Sequence, residues 1–360
     1  MSVQPVTRVW LRNKRRLLDA QAGLARRRFR RIRNAFYTSL WSEAAEQVGA
    51  TLSRCPNGLV RISQGQRSTF VDHSDLMLDS AITLRLMANK AMTFDLMSGT
   101  DLRTPAFAKF TLSTIEKAEA FLESQAGPVV VVKPADGTGG GRGVTTGINS
   151  LQALHAAARH AAGFNQALMV EEQLTGASFR LLYFDGDFID AVRRDSPVVV
   201  GDGHSSVAGL VKAENERRLN ADPITALSPL ILDQESRNTL AAAGRNASYV
   251  PAKVESVQVK LAVNENGAAQ NHVVRDDVHP SIIEAGAKLV KSFGIRFAGL
   301  DVTASDISAP LEQGDTIFNE VNVNPGIHHH YLVSDRDQQV GLAPLLLTRM
   351  FETGAGTITI

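Results

Sequence analysis

The stretch FNEVNVNPGIHHHY, Phe318 to Tyr331, offers two candidate metal sites a few residues apart: Glu320 with Asn322, and the run His328, His329 and His330. Side chains two apart in a strand share a face, so Glu320, Asn322 and Asn324 point one way while Val321 and Val323 point into a core. Upstream, FAGLDVTA (Phe297 to Ala304) reads as a neighbouring apolar strand, where Asp301 is costly to bury without a partner. Asp301, Glu320 and Asn322 together form an all-oxygen ligand set. Such a set suits Mg²⁺, which keeps waters and binds through carboxylates plus substrate phosphates. The plainer alternative is an exposed polar strand face with an acid nearby by chance. Three consecutive histidines on a regular element cannot all face one ion, because neighbours diverge. His328 and His330 can share a face, but no cysteine is near and no third ligand is evident, so zinc is the weaker assignment. These histidines read as pocket-lining or surface-loop residues, and the acids as the metal site.

A second informative stretch is VVVKPADGTGGGRGV, from Val130 to Val144. It is not a P-loop, because no glycine precedes a lysine followed by Ser or Thr. It is not a dinucleotide fingerprint either, because the sixth place of each G-x-G frame is Arg142, Val144 or Thr146. What it provides is Lys133 at the end of a buried strand, then Gly137, Gly139, Gly140, Gly141 and Gly143 with Arg142 among them. Glycines let a backbone approach phosphate oxygens and aim successive N–H groups at them. The competing reading is a long mobile hairpin tip.

The chain has 360 residues, enough for two or three subdomains, and a formal net charge of +1. No apolar run approaches the ~20 residues of a membrane span, and PVVVVKP is interrupted at Lys133. No secretory signal is visible behind the basic amino terminus. Cys55 is the single cysteine, which excludes an internal disulfide and fits a reducing, cytoplasmic setting. Charge is nevertheless uneven: Arg and Lys crowd the segment from Arg8 to Arg33, including RRRFRRIR, with Asp19 the lone acid. A solvated helical arm and an electrostatic contact with an anionic partner both remain open for it. The oligomeric state is not legible; a homodimer is one arrangement open to the chain.

Hydrophobic periodicity predicts helices over FYTSLWSEAAEQVGA, SAITLRLMANKAMTFDLMSG, STIEKAEAFLESQAG (starting at Ser113 or Thr114), SLQALHAAARHAAG (capped by Ser150) and PSIIEAGAKLVKSFG. Strands are predicted at GLVRISQG, AFAKFT, PVVVVKP, ALMVEEQL and SPVVVGDG, at the two metal segments, and in a hairpin turning at Asp185-Gly186. The alternation predicts an α+β fold with two mixed sheets. It divides into a basic arm (1–34), a small α/β N-terminal subdomain (35–103), a central subdomain carrying the glycine-rich lid (104–174) and a C-terminal subdomain carrying the metal site (175–360).

A strand-borne lysine, a glycine-rich loop and a distant D…E-x-N set resemble the ATP-grasp superfamily. The resemblance is to the ATP-grasp part of cyanophycin synthetases and of fused γ-glutamylcysteine/glutathione synthetases. It runs from about Phe36 to Tyr331 through NKAMTFDLM before RTP, VVVKPADGTGGGRGV, VEEQLTGASFRLLYFDGDFIDAVRRDSPVVVGDG, VNENGAAQNHVVRDDVHP and FAGLDVTASDIS…FNEVNVNPG. It implies a nucleotide held between two mixed or antiparallel sheets, with ATP and Mg²⁺ as cofactors (two ions, Mn²⁺ an alternative). It also implies roles. Lys90 and Lys133 would meet the ATP phosphates, under a loop from Asp136 through Gly139, Gly140, Gly141 and Arg142 to Gly143. Glu171, Glu172 and Leu174 would border the adenine. Asp301, Glu320 and Asn322 would hold the metals. Arg193, Arg194 or Arg180 would reach the transferred phosphoryl group, Asn324, Gly326 and His328 would face the substrate, and His330 would affect rate.

The chain departs from cyanophycin synthetases at Ser178, where they carry an acid, and at His328, where they carry arginine in a PGFRMH-like stretch. No room is expected for their Mur-ligase-like part. The implied activity is an ADP-forming carboxylate–amine ligase that makes an amide bond through an acyl phosphate, from small-molecule acid and amine substrates. A ligase acting on a protein or polymer terminus, and a non-catalytic nucleotide-binding module, are the alternatives.

Overall fold

The structure, a computed structural model, describes residues 5–124, 129–136 and 142–359, with side chains from residue 23 onward in the first helix. The basic arm and the first predicted helix form one helix, Pro5–Gln47, of 43 residues, with no break at residue 34. At the textual spacing of one turn, Phe29, Tyr37, Trp41, Ala44 and Ala45 are buried. Tyr37, Trp41, Ala44 and Ala45 share a core with Leu346, Leu347 and Met350 of the helix Leu342–Thr353, so this helix and the long first helix pack together. Beside them lies an antiparallel sheet built from Thr51–Arg54, Val60–Gln64, Arg67–Asp72 and Ile358–Thr359. The last residues thus belong structurally with the first, whereas the sequence reading assigned everything after 174 to one subdomain.

Two further sheets frame the interior. The central one orders Phe107–Phe110, Leu168–Glu172, Val130–Pro134 and Thr145–Ile148. Its outer face packs on the helices Glu116–Ser124 and Leu151–Ala162 through Val130, Val132, Leu154, Ala158 and Val170. The larger one orders Asn271–Val273, Asp187–Arg194, Ala177–Phe184, Phe297–Ala304 and Ile317–Val323. One face buries Leu181, Ala191, Leu300, Val302 and Val321 against Ile282, Leu289 and Val290 of the helix Pro280–Ser292. A smaller unit with its own core, Val198–Val200 and Ser256–Gln258 with the helices Val207–Leu219 and Gln234–Ala242, is inserted between the strands that end at Arg194 and begin at Asn271.

The α+β class stands. Every strand pair among the described residues is antiparallel, so neither framing sheet is mixed. The helix expected over Ser80 to Gly99 is two, Ala81–Met87 and Lys90–Met97, because Asn89 leaves helical backbone and caps the second with its side chain on the Met92 N–H. That break places Lys90 in a first helical turn. The helix expected from Ser113 or Thr114 begins at Glu116, after a single tight turn at Leu112–Thr114.

Trp41 is 1% exposed, and its indole N–H donates to the His73 carbonyl at 2.7 Å. Trp41→Ala should therefore cost about 3–5 kcal/mol. Urea unfolding would show this as a lowered midpoint, and an unchanged midpoint would mean the terminal helices do not share a core.

Candidate active site

The opposite face of the larger sheet carries a row of ionisable side chains. Register places Asp301 opposite both Arg180 and Glu320, and Arg180 opposite Val192, so Arg180, Asp301 and Glu320 form one row across three strands. Two residues along from Val192 in either direction, Arg194 and Asp190 stand on the same face. Arg180 binds Asp301 through two contacts, Nε to Oδ1 and Nη2 to Oδ2, the latter at 2.9 Å. Arg194 adds a third contact, Nη2 to Oδ1 at 3.0 Å. Glu320 is bound by the Lys90 ammonium, which arrives from the first turn of its helix. That turn is pinned to the central sheet by the Lys90 N–H, which donates to the Ala135 carbonyl at 3.1 Å.

Charge follows from this geometry. Burial alone would raise the Asp301 pKa, but Arg180 and Arg194 outweigh it and hold the carboxyl well below its ordinary range. Burial opposes ionisation of Glu320 too, and Lys90 overcomes it. Both carboxylates are therefore ionised at neutral pH, as a hard cation requires. From the facing sheet, Lys133 Nζ donates to Glu171 Oε1 at 2.6 Å and lies 5.6 Å from the centre of the Phe94 ring.

Other expected residues are placed as follows. Arg193 points away from the row, because strand neighbours alternate, and it pairs with Asp195 at 3.0 Å. Asn322 is half-buried on the row's face beside Gly299, its Nδ2 at 3.5 Å from that carbonyl. Asn324 does not extend the face. Its φ of 49° turns the chain out of the strand, and its buried amide donates to the Leu76 carbonyl at 3.3 Å. Asp136 is clamped by Asn89 and Asn165 at the base of the glycine loop. Gly143 adopts φ of 81°, where a Cβ would strike Phe164 and Pro134 at 2.9 Å. Gly139, Gly140 and Gly141 lie outside the described residues. Glu172 faces Arg103 at 3.8 Å, and Leu174 is half-buried just past the strand's end.

The histidines form a single turn of helix, His328–Tyr331, folded over the same face. Gly326 permits this, since a Cβ there would meet the His328 ring at 2.7 Å. His328 and His329 remain partly open, while His330 is enclosed, its Nδ1 at 2.7 Å from Asp190 Oδ2. His330, expected to affect rate, thus holds the turn from inside the core through Asp190. Burial first, then Arg33 and Arg180, push the His328 pKa down to about 3, so its ring is neutral.

A cavity of about 860 Å³ lies elsewhere, between the Thr145–Ile148 strand, the Leu151–Ala162 helix and the Gln234–Ala242 helix. Arg142 and Gly143 border it, but Lys90, Lys133, Asp301 and Glu320 do not. The ionisable row, and not this cavity, defines the candidate site. Sequence reading missed Asp190, which the alternation from Arg194 through Val192 would have revealed. It also missed Tyr37, whose approach depends on contacts across 291 positions and leaves no local signal.

Among the described residues no cluster of three His, Cys, Asp or Glu is arranged to hold a metal. The donor set of Asp301, Glu320 and the Asn322 amide still fits Mg²⁺, which needs only one or two ionised carboxylates beside substrate oxygens.

No protein-family model matches the chain. It is 30% identical over 220 residues to the cyanophycin synthetase of Trichormus variabilis, covering 61% of this chain and 24% of that protein. It is 27% identical over 278 residues to the glutathione biosynthesis bifunctional protein of Mannheimia succiniciproducens, covering 75% of this chain and 36% of the relative. The chain thus spans about a quarter to a third of the length of these relatives. The crystal structure of a bifunctional glutathione synthetase from Pasteurella multocida superposes with a TM-score of 0.50 at 24% identity, covering 82% of this chain and 40% of that one. The fold is that of an ATP-grasp protein. The sequence similarities to a cyanophycin synthetase and to a bifunctional glutathione biosynthesis protein agree with that fold.

Asp301→Asn would leave the buried Arg180 and Arg194 without their carboxylate, at a cost of about 3 kcal/mol or more. The Asp301 pKa is depressed in the folded state, so its contribution is present above the unfolded value of about 4 and is lost as pH falls below it. Wild-type stability should thus fall in acid more steeply than that of the variant. Parallel pH profiles in urea unfolding would contradict the ion-pair account.

Proposed function

We propose that the chain is an ATP-dependent, ADP-forming carboxylate–amine ligase acting on amino acids or small peptides. The supporting observation is the row Arg180–Asp301–Glu320–Lys90, facing Lys133 and Glu171 across the space between two sheets. A carboxylate is a poor acyl donor at neutral pH. Taking the γ-phosphoryl group of ATP turns it into an acyl phosphate with release of ADP, and an amine then displaces phosphate to give the amide. The residues here suit that sequence. Lys90, Lys133, Arg180 and Arg194 offer positive charge to phosphate oxygens inside a site of low polarity. Asp301, Glu320 and Asn322 would hold Mg²⁺, which would supply further neutralisation of phosphate charge. The loop from Asp136 to Gly143 is assigned to shielding the acyl phosphate from water, and Glu171, Glu172 and Leu174 to the adenine.

A second reading, a ligase that modifies a protein or polymer terminus, is favoured by the helix Pro5–Gln47, whose exposed Arg27, Arg30 and Arg31 could recruit an anionic partner. No helix among the described residues is long and apolar enough to cross a membrane.

The test is ADP release with a mixed amino-acid panel in the presence of Mg²⁺. Glu320→Gln should lower turnover by about a hundredfold or more. Lys133→Ala should weaken nucleotide binding itself, read by titration with a non-hydrolysable ATP analogue. Turnover unchanged by Glu320→Gln would remove the metal assignment, and nucleotide binding without ADP release for any panel member would favour the polymer-terminus reading.

A further inference from the structure

The long helix does more than carry positive charge. Phe29, Arg33, Tyr37 and Trp41 follow one another at four-residue spacing and so lie along one stripe. Phe29, Tyr37 and Trp41 are buried, yet Arg33 on the same stripe is exposed. No carboxylate among the described residues forms an ion pair with Arg33. Its charge nevertheless reaches the His328 ring, as do those of Arg180 and Arg194. Tyr37, one turn on, bonds to His328 Nδ1 at 2.9 Å, and their rings meet edge-on with centroids 6.2 Å apart. Burial pushes the Tyr37 hydroxyl up to about 12, so it keeps its proton. A phenol that donates to Nδ1 puts the proton of the neutral, half-buried His328 ring on Nε2.

Cations outnumber acids around this opening. Arg180 and Arg194 share Asp301, and the Arg194 Nε is buried with no partner. Asp190 is already committed to His330. A neutral histidine N–H beside an uncompensated guanidinium is the donor pair that a carboxylate accepts.

We propose that the Arg33–Tyr37 segment of the long helix forms, with His328, a subsite for the free carboxylate of the amine substrate. Arg33 and His328 contact the carboxylate, and Tyr37 is a positioning residue that orients the His328 ring. This rests on the ligase reading above, and deepens it: the acceptor is an amino acid or peptide with an unblocked carboxyl end, held by a helix that precedes the two framing sheets. The carboxylate bound here is not the one phosphorylated, which must lie at the Asp301–Glu320 row.

The experiment compares a mixed panel of L-amino acids with the same panel as α-carboxamides, in ADP-release kinetics and in calorimetric titration in the presence of a non-hydrolysable ATP analogue. The wild-type chain should prefer acids. Arg33→Gln should raise KM for the acids about tenfold and leave the amides and kcat near wild type, so that the preference collapses. Tyr37→Phe should weaken the preference in the same direction, while Arg28→Gln, which breaks only the helix's ion pair with Glu216, should preserve it. An acid-to-amide preference that is the same in wild type, Arg33→Gln and Tyr37→Phe would overturn the subsite. So would a loss in Arg33→Gln that falls equally on acids and amides. If the wild type releases no ADP with either panel, the reading as a ligase of amino acids or small peptides fails. The titration then decides the subsite alone: selective heat for acids that vanishes in Arg33→Gln supports it, and its absence overturns it.

Discussion

Two carboxylates on one sheet face, Asp301 directly across from Glu320, impose the condition that the rest of the site satisfies. Opposed side chains on neighbouring strands are about 5 Å apart, where two negative charges repel by roughly 3 kcal/mol at an effective dielectric of 20. Desolvation adds to that cost. The molecule tolerates the pair by importing cations from separate parts of the chain. Arg180 and Arg194 come from the same sheet, and Lys90 comes from a helix docked on the central sheet at Ala135. The row therefore ties the two framing sheets together across the space where a ligand would lie. The break at Asn89 follows from the same need, because only a helix starting there brings Lys90 within reach of Glu320.

A site assembled by ion pairs that cross between elements is suited to exchange partners. On the proposed reading, each cation now held by Asp301, Glu320 or Glu171 would turn to phosphate, and Asp301 and Glu320, once released, would turn to the metal. An apolar contact of equal strength would lack that property, since it has no second partner to accept. The opposite face of the same strands, with Leu300, Val302 and Val321 packed on a helix, supplies the rigidity that keeps the row in register. Alternation along a strand thus divides the labour: one face holds the shape and the other carries the charge.

Much of this was legible from local pattern. The period of two through Glu320, Val321, Asn322 and Val323 identified both the strand and its polar face, and Asp301 in an apolar strand demanded partners before any were visible. The hairpin at Asp185-Gly186 and the cap at Ser150 were equally local. Period two also extrapolated too far. Asn324 keeps the spacing but leaves the strand with φ of 49°, because Pro325 and Gly326 follow and its amide finds the Leu76 carbonyl. Choosing between Arg193 and Arg194 required register, which a single strand does not carry. The mixed sheets expected from alternating elements proved antiparallel, since strand direction depends on how the connections cross over. Tyr37 and His328 meet from opposite ends of the chain, where periodicity is silent.

The histidine turn shows how position decides the use of one residue type. His330 points inward to Asp190 and is enclosed, so it fixes the turn. His328, two residues earlier, is held at Nδ1 by Tyr37 and stays half-buried. Both rings are kept neutral by burial and by the surrounding guanidinium groups. A neutral ring donates without adding to the positive charge already present, so the site can hold a carboxylate without drawing every anion in solution. Arginine at position 328, as in cyanophycin synthetases, would add a fixed charge close to Arg33, Arg180 and Arg194. A helix carrying Arg33 over this opening is compatible with histidine at 328 because the histidine can stay uncharged.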